Sequence, residues 1–162
     1  MQYSSLDQFL SDGKAALTKG PIALILVEDD VEMDTTLRHH QQLGFKQVVV
    51  FMPRSFDLAR DVAETVIRVD YDMSADGAMQ AAVNRVTDAA QVQWIYDCYN
   101  AEYLFYPFCE TRTVGEMLAF HTEERRDAML TYVVDLYAGD LTENPPAVSL
   151  DQAFLDRSGY YA

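Results

Sequence analysis

Three consecutive carboxylates, Glu28-Asp29-Asp30, close an apolar run that begins at Ile22. A continuous rather than alternating run predicts a strand covered on both faces, here over 22–27. In open α/β sheets, ligands bind beyond the carboxyl ends of the strands. The three acids therefore stand where a small polar molecule would be held. Asp29 is read as a ligand contact, and for Asp30 a ligand contact and an N-cap of the next helix are both open. Arg54, Ser55 and Asp57 follow a second apolar run, Val48-Val-Val-Phe51, and stand at the same predicted edge. For Arg54 a phosphate contact and a solvated loop position are equally open.

Asp97 and Glu102 lie in an aromatic-rich stretch after Trp94. Tyr99, Tyr103, Phe105, Tyr106 and Phe108 suit either a sugar-stacking wall or, more commonly, a mostly buried cluster, given the area such rings bury. Other chemistry-bearing residues have plainer readings. His39 and His40 are neighbours on a helix and point about 100° apart, so they do not face one ligand. Near a helix C-terminus, where the dipole favours a charged imidazole, both are read as structural. Asp70, Asp72 and Asp76 lack the spacing of a calcium-binding loop and are read as solvated loop acids. Cys98, with no base or cation evident beside it, is read as an inert core thiol.

The elements that would position these groups follow from periodicity and punctuation. Residues 1–19 read as a short amphipathic helix carrying Leu6, Phe9, Leu10 and Leu17, ended by Gly20-Pro21. Met33, Leu37 and Leu43 keep roughly helical spacing, and Gly44 is placed as a helix-ending glycine. Strands are predicted over 47–52, 65–69 and 94–98, and an alanine-rich helix over 78–90. A polar loop over 70–77 joins the third strand to that helix. Thr113 with Glu116 three residues later predicts a capping box opening a helix over 114–120. Periodicity leaves 129–137 open between strand and helix. Strand–helix alternation at this rhythm predicts an α/β fold of three layers around a mostly parallel, Rossmann-like sheet.

The chain has 162 residues, which suits one domain over 1–162. Its 12 basic and 26 acidic side chains give a net charge of −14, and lysine is confined to Lys14, Lys19 and Lys46. This balance excludes nucleic acid as a partner, because Lys and Arg contacts to phosphate supply most non-specific affinity. Two cysteines, Cys98 and Cys109, predict reduced thiols and a cytoplasmic protein. The N-terminus lacks a basic segment followed by an apolar one, so no signal peptide is expected. No apolar run approaches the ~20 residues of a membrane span.

The apolar run ending in Glu28-Asp29-Asp30 resembles the opening of response-regulator receiver domains. The phosphoacceptor aspartate has no counterpart, since Val49 stands three residues before the Met52-Pro53 pair, and no lysine follows Lys46. A fuller resemblance is to GT-A-type glycosyltransferases of family 2. It is carried in order by Asp29-Asp30, His39-His40, Leu43-Gly44-Phe45, Val48-Val-Val-Phe51 and the block Trp94-Ile-Tyr-Asp-Cys-Tyr-Asn-Ala-Glu-Tyr-Leu. Within that last block Trp94, Glu102, Tyr103 and Leu104 fall in register.

The resemblance implies transfer of a sugar from a nucleoside-diphosphate donor to an acceptor the sequence does not identify. It implies that Asp29, Asp30 and Asp57 hold the nucleoside, that Arg54 or Ser55 touches phosphate, and that Glu102 marks the reaction edge. The family's Mg²⁺ or Mn²⁺ is held by an Asp-x-Asp pair, and Tyr99 and Ala101 occupy those positions here. Asp97 and Glu102 remain as the ligands the resemblance offers for such a cation. Family members continue into an acceptor-binding half, which is either absent here or cut off because the chain is a fragment, so the match covers their nucleotide-binding part. A non-catalytic binding module that has lost its metal pair is the alternative reading.

Overall fold

The structure is a computed structural model that describes residues 1–91 and 93–155. The chain divides into two compact units, the first over 1–124 and the second beginning at Arg125. The first holds a five-stranded sheet in which every pairing is parallel. Its strands are β1 (Gln2–Tyr3), β2 (Ile22–Leu26), β3 (Gln47–Met52), β4 (Ile67–Asp70) and β5 (Ile95–Tyr99), in the spatial order β1-β4-β3-β2-β5. Every residue of β2 is buried, which explains its unbroken apolar sequence.

Helices cover both faces, making the three-layer α/β arrangement expected. One face packs Ala23, Ile25, Val48 and Val50 against α2 (Met33–Gln42), the short α3 (Arg60–Ala63) and α5 (Val114–Glu123). The other packs Leu24, Leu26, Val49 and Phe51 against α1 (Leu6–Asp12), a 3₁₀ turn over Lys14–Thr18, and α4 (Ala78–Ala90).

Several local expectations change. The helix expected over 1–19 is broken into β1, α1 and the 3₁₀ turn, because Gly13 ends α1 by donating its N–H to Phe9 O. The third strand starts at Ile67 rather than residue 65, since Thr65 closes the turn after α3 through its hydroxyl to Val62 O at 2.9 Å. Asp70 therefore belongs to β4 and not to the polar loop. Gly44 has φ +86 and ends α2 as expected.

Thr113 and Glu116 form the expected capping box, with Thr113 N donating to Glu116 Oε2 at 2.8 Å and Glu116 N to Thr113 Oγ1 at 3.3 Å. The helix runs on to Glu123, beyond the expected end. Thr113→Ala removes the side-chain half of the box. It is expected to lower stability by about 1 kcal/mol in urea unfolding, and a change below ~0.3 kcal/mol would show the box to be idle.

The second unit contains the antiparallel pair β6 (Leu136–Ala138) and β7 (Ala153–Leu155), with Tyr137 stacked on Phe154. Residues 129–135 carry no regular structure, so the open choice between strand and helix resolves to neither except at 136–137.

Candidate functional site

From β2 the chain moves outward through β3 to β4, then returns to place β5 on the other side of β2. The order of strands reverses between β2 and β5, and the crevice at their carboxyl ends is where such sheets hold ligands. Leu26 pairs with Tyr99, so Glu28-Asp29-Asp30 and the segment 100–102 leave the sheet side by side. The acids after β2 and the segment after β5 thus share one rim of one sheet.

Asn100 ties the two loops together. Its Oδ1 accepts Glu28 N–H at 3.0 Å, and its Nδ2 donates to Asp29 Oδ1 at 2.6 Å and Val31 O at 2.9 Å. Asp29 Oδ1 also accepts Val31 N–H at 2.9 Å. The next residue, Ala101, has φ +61, a left-handed conformation that costs an L-residue free energy and persists only where its surroundings fix it. Thr36 on α2 supplies that constraint, accepting Ala101 N–H at 2.9 Å while donating to Glu32 O at 2.7 Å. Glu32 is itself left-handed at φ +52.

Asp30 does not cap α2. The residue at the N-cap is Glu32, and the turn before it is closed by Asp29 instead. Asp30 and Glu28 are exposed at the rim. Glu102 lies there too, its Oε2 accepting Tyr99 N–H at 2.9 Å. Tyr99 is surrounded by acids: burial raises its phenol pKa first, and Glu28, Glu102 and Asp97 raise it further. Asp97 sits mid-strand opposite Leu24 rather than at the rim, and partial burial raises its carboxyl pKa.

Arg54, Ser55 and Asp57 follow β3 and are exposed. Arg54 Nε stands 4.0 Å from Asp70 Oδ2, a loose pair with the arginine side chain 88% exposed. The loop is shaped by Arg68 on β4, which donates to Phe56 O at 2.8 Å and Arg54 O at 3.3 Å while pairing with Asp70 at 2.9 Å. Asp34 on α2 fixes the loop's far end by accepting Ala59 N–H at 3.0 Å. Neither Arg68 nor Asn100 carries a sequence signal for these roles, because every partner except Asp70 is distant in the chain.

Aromatic side chains divide. Tyr103 and Tyr106 are half-buried, their hydroxyls bonded to Thr35 Oγ1 and Arg112 O, both at 2.8 Å. Phe105 and Phe108 are each 73% exposed, which overturns the buried-cluster expectation for these two. Phe105 leans on His39, ring centroids 5.3 Å apart, and His39 Nε2 contacts Leu104 O at 2.8 Å.

His40 is fully buried, with Nδ1 2.8 Å from Thr36 O and its ring stacked on Tyr96. Burial lowers its pKa to about 4, so the structural reading holds for the reverse of the dipole reason: the imidazole is neutral. Cys98, 3.8 Å from His40, is pushed up by burial, as befits an inert thiol.

The cation implied by the resemblance meets a poor donor set. Hard cations take several anionic oxygens, yet one Glu102 oxygen is engaged by backbone and Asp97 lies back from the rim. Among the described residues no three His, Cys, Asp or Glu side chains form a cation-holding group. Asp72 is occupied locally by Ser74 N–H and hydroxyl at 2.9 and 2.6 Å. A separate cleft of about 280 Å³, lined by Pro21, Lys46, Gln93, Trp94 and Thr122, opens at the amino-terminal rim of the sheet, away from these acids.

No helix among the described residues is long and apolar enough to cross a membrane. No protein-family model, no curated protein and no solved structure matches the chain.

Proposed function

We propose that the first unit is a GT-A-like domain, similar to family 2 glycosyltransferases, that binds a nucleoside-diphosphate sugar for transfer to an acceptor. The observation that carries this reading is the side-by-side exit of Glu28-Asp29-Asp30 and the 100–102 segment between β2 and β5. Strand order supports it, since β4-β3-β2-β5 reverses at the point where open α/β sheets take nucleotides.

In this reading exposed Asp30 and Asp57, with the free oxygen of Asp29, accept hydrogen bonds from base and ribose. Arg54, loosely held at the rim of β3, is the cation within the sequence best placed for phosphate. Glu102 stands at the edge where the sugar would lie, and exposed Phe105 and Phe108 offer faces for stacking a sugar ring.

A second reading keeps the fold and the ligand but not the reaction: a non-catalytic module. It is favoured by Tyr99 and Ala101 in place of two carboxylates, which leaves a leaving diphosphate without the cation that would neutralise it.

Calorimetric titration of the chain with UDP- and GDP-sugars, with and without Mn²⁺, tests the common core of both readings. Binding of one donor is expected, with amide shifts confined to residues 28–31, 54–57 and 99–102. Absence of binding by every donor would remove the sugar-nucleotide reading. Donor hydrolysis in the same samples separates the enzyme from the module.

A further inference from the structure

The resemblance supplies a cation at this rim, and the side chains present are ill suited to one. What stands in its place is an amide. Asn100 is the middle residue of Tyr99-Asn100-Ala101, and its carboxamide reaches across the crevice to Glu28, Asp29 and Val31. We propose that Asn100 is the positioning residue of this rim, holding the acidic 28–31 loop in the shape described above through its carboxamide rather than through a metal ion. The functional weight of this assignment rests on the reading of the rim as a ligand site.

The polarity of the contacts singles out a carboxamide. Glu28 presents an N–H and needs an acceptor, whereas Asp29 Oδ1 and Val31 O need a donor. A carboxamide, with an oxygen at one end and an NH₂ at the other, serves both sides at once. The bond to Asp29 is charge-assisted and correspondingly short at 2.6 Å. Asn100 is in turn aimed by its neighbours. Its own N–H continues the sheet to Leu26 O at 3.0 Å, and Ala101 N–H is pinned to Thr36 on the opposite side. The loop is thereby closed by four hydrogen bonds of one side chain, the longest from Nδ2 to Asp29 O at 3.4 Å.

Asn100→Asp keeps the shape and reverses the chemistry: a second carboxylate then faces Asp29, an arrangement that requires a shared proton or a cation. Amide hydrogen exchange at Glu28 and Val31, read by NMR, reports the state of the loop. In the unaltered protein, protection of both amides is expected to be the same in EDTA and in Mg²⁺. Asn100→Asp at pH 7 in EDTA is expected to exchange about tenfold faster or more at both positions, because the two donated bonds are replaced by carboxylate repulsion that opens the loop. Protection should return on adding Mg²⁺ or on acidifying to about pH 5, where one proton can be shared. Asn100→Ala should exchange fast under every condition, with no rescue.

A residue whose side chain does not face Asp29 would give neither form of rescue. The proposal is overturned if Asn100→Asp exchanges like the unaltered protein in EDTA, or if neither Mg²⁺ nor acid restores protection. It is equally overturned if Mg²⁺ alone tightens the loop of the unaltered protein. Should Asn100→Ala fail to fold, the nearly isosteric Asn100→Asp arm decides alone. UDP- and GDP-sugar titrations of the same samples keep the two ideas apart: exchange behaving as stated without any donor binding upholds Asn100 and removes the sugar-nucleotide reading.

Discussion

Lowering the pH from 7 to 4 will remove about 3 kcal/mol of stability through one side chain, His40, whose folded-state pKa of about 4 lies well below the ordinary 6.5. The imidazole is held without solvent between α2 and β5, against Thr36, Phe45, Tyr96 and Cys98. Both Tyr96 and Cys98 are raised and stay neutral throughout this range, so no anion in contact offsets a proton on the ring. His39 is the nearby group that can acquire positive charge, and it opposes that proton as well.

The sign follows from the direction of the shift. Between pH 6.5 and about 4 the unfolded chain takes up a proton at this position and the folded chain does not. Stability is therefore fully present above the unfolded value and falls as pH drops through the window. Asp97 acts oppositely, because a raised carboxyl pKa favours the folded state as acid is added. Urea unfolding at pH 7, 6, 5 and 4 measures the slope, and His40→Gln is expected to flatten it whatever its cost at neutral pH. Parallel slopes for the two proteins would place the acid sensitivity elsewhere.

The second large effect concerns the missing metal pair. Tyr99→Asp combined with Ala101→Asp is expected to create a Mn²⁺ site, tightening cation binding about a hundredfold or more through added anionic ligands near Glu102. Backbone strain does not oppose it, since Asp tolerates the left-handed conformation found at residue 101 (φ +61) better than Ala. Calorimetry with Mn²⁺ on the single and double variants gives the answer. Appearance of donor hydrolysis with the site would mark the natural chain as a degenerate enzyme. An unchanged cation affinity would show that the rim cannot gather its oxygens.

Sequence legibility tracked how local the cause was. The strand at 47–52 and the helix at 78–90 came out with the expected bounds, because periodicity and flanking breakers act within a few residues. Gly44 and the Thr113–Glu116 box were readable for the same reason. The edge strand β1 was invisible: Gln2 and Tyr3 are strand only because Arg68 and Val69 lie beside them. Asp30 looked like a cap by position, yet the left-handed Glu32 shifted the start of α2.

At the site, the acids and the segment after Trp94 share one rim because they follow neighbouring strands of one parallel sheet, the kind of sheet the strand–helix alternation predicts. Their wiring carries no such signal. Asn100 has no role legible in the sequence, because its partners lie about seventy residues away, beyond any spacing rule. For Phe105 and Phe108 the area such rings bury favours a buried cluster over a stacking wall, and their exposure is a tertiary outcome.

β5 is the last strand of its sheet, with backbone groups along its outer side that another chain's strand would be drawn to pair with. Its sequence, Ile95-Tyr-Asp-Cys-Tyr99, would otherwise be well suited to such recruitment. Asp97 stands at the middle of that strand, and while ionised it disfavours pairing with a second copy, which would bring like charges together.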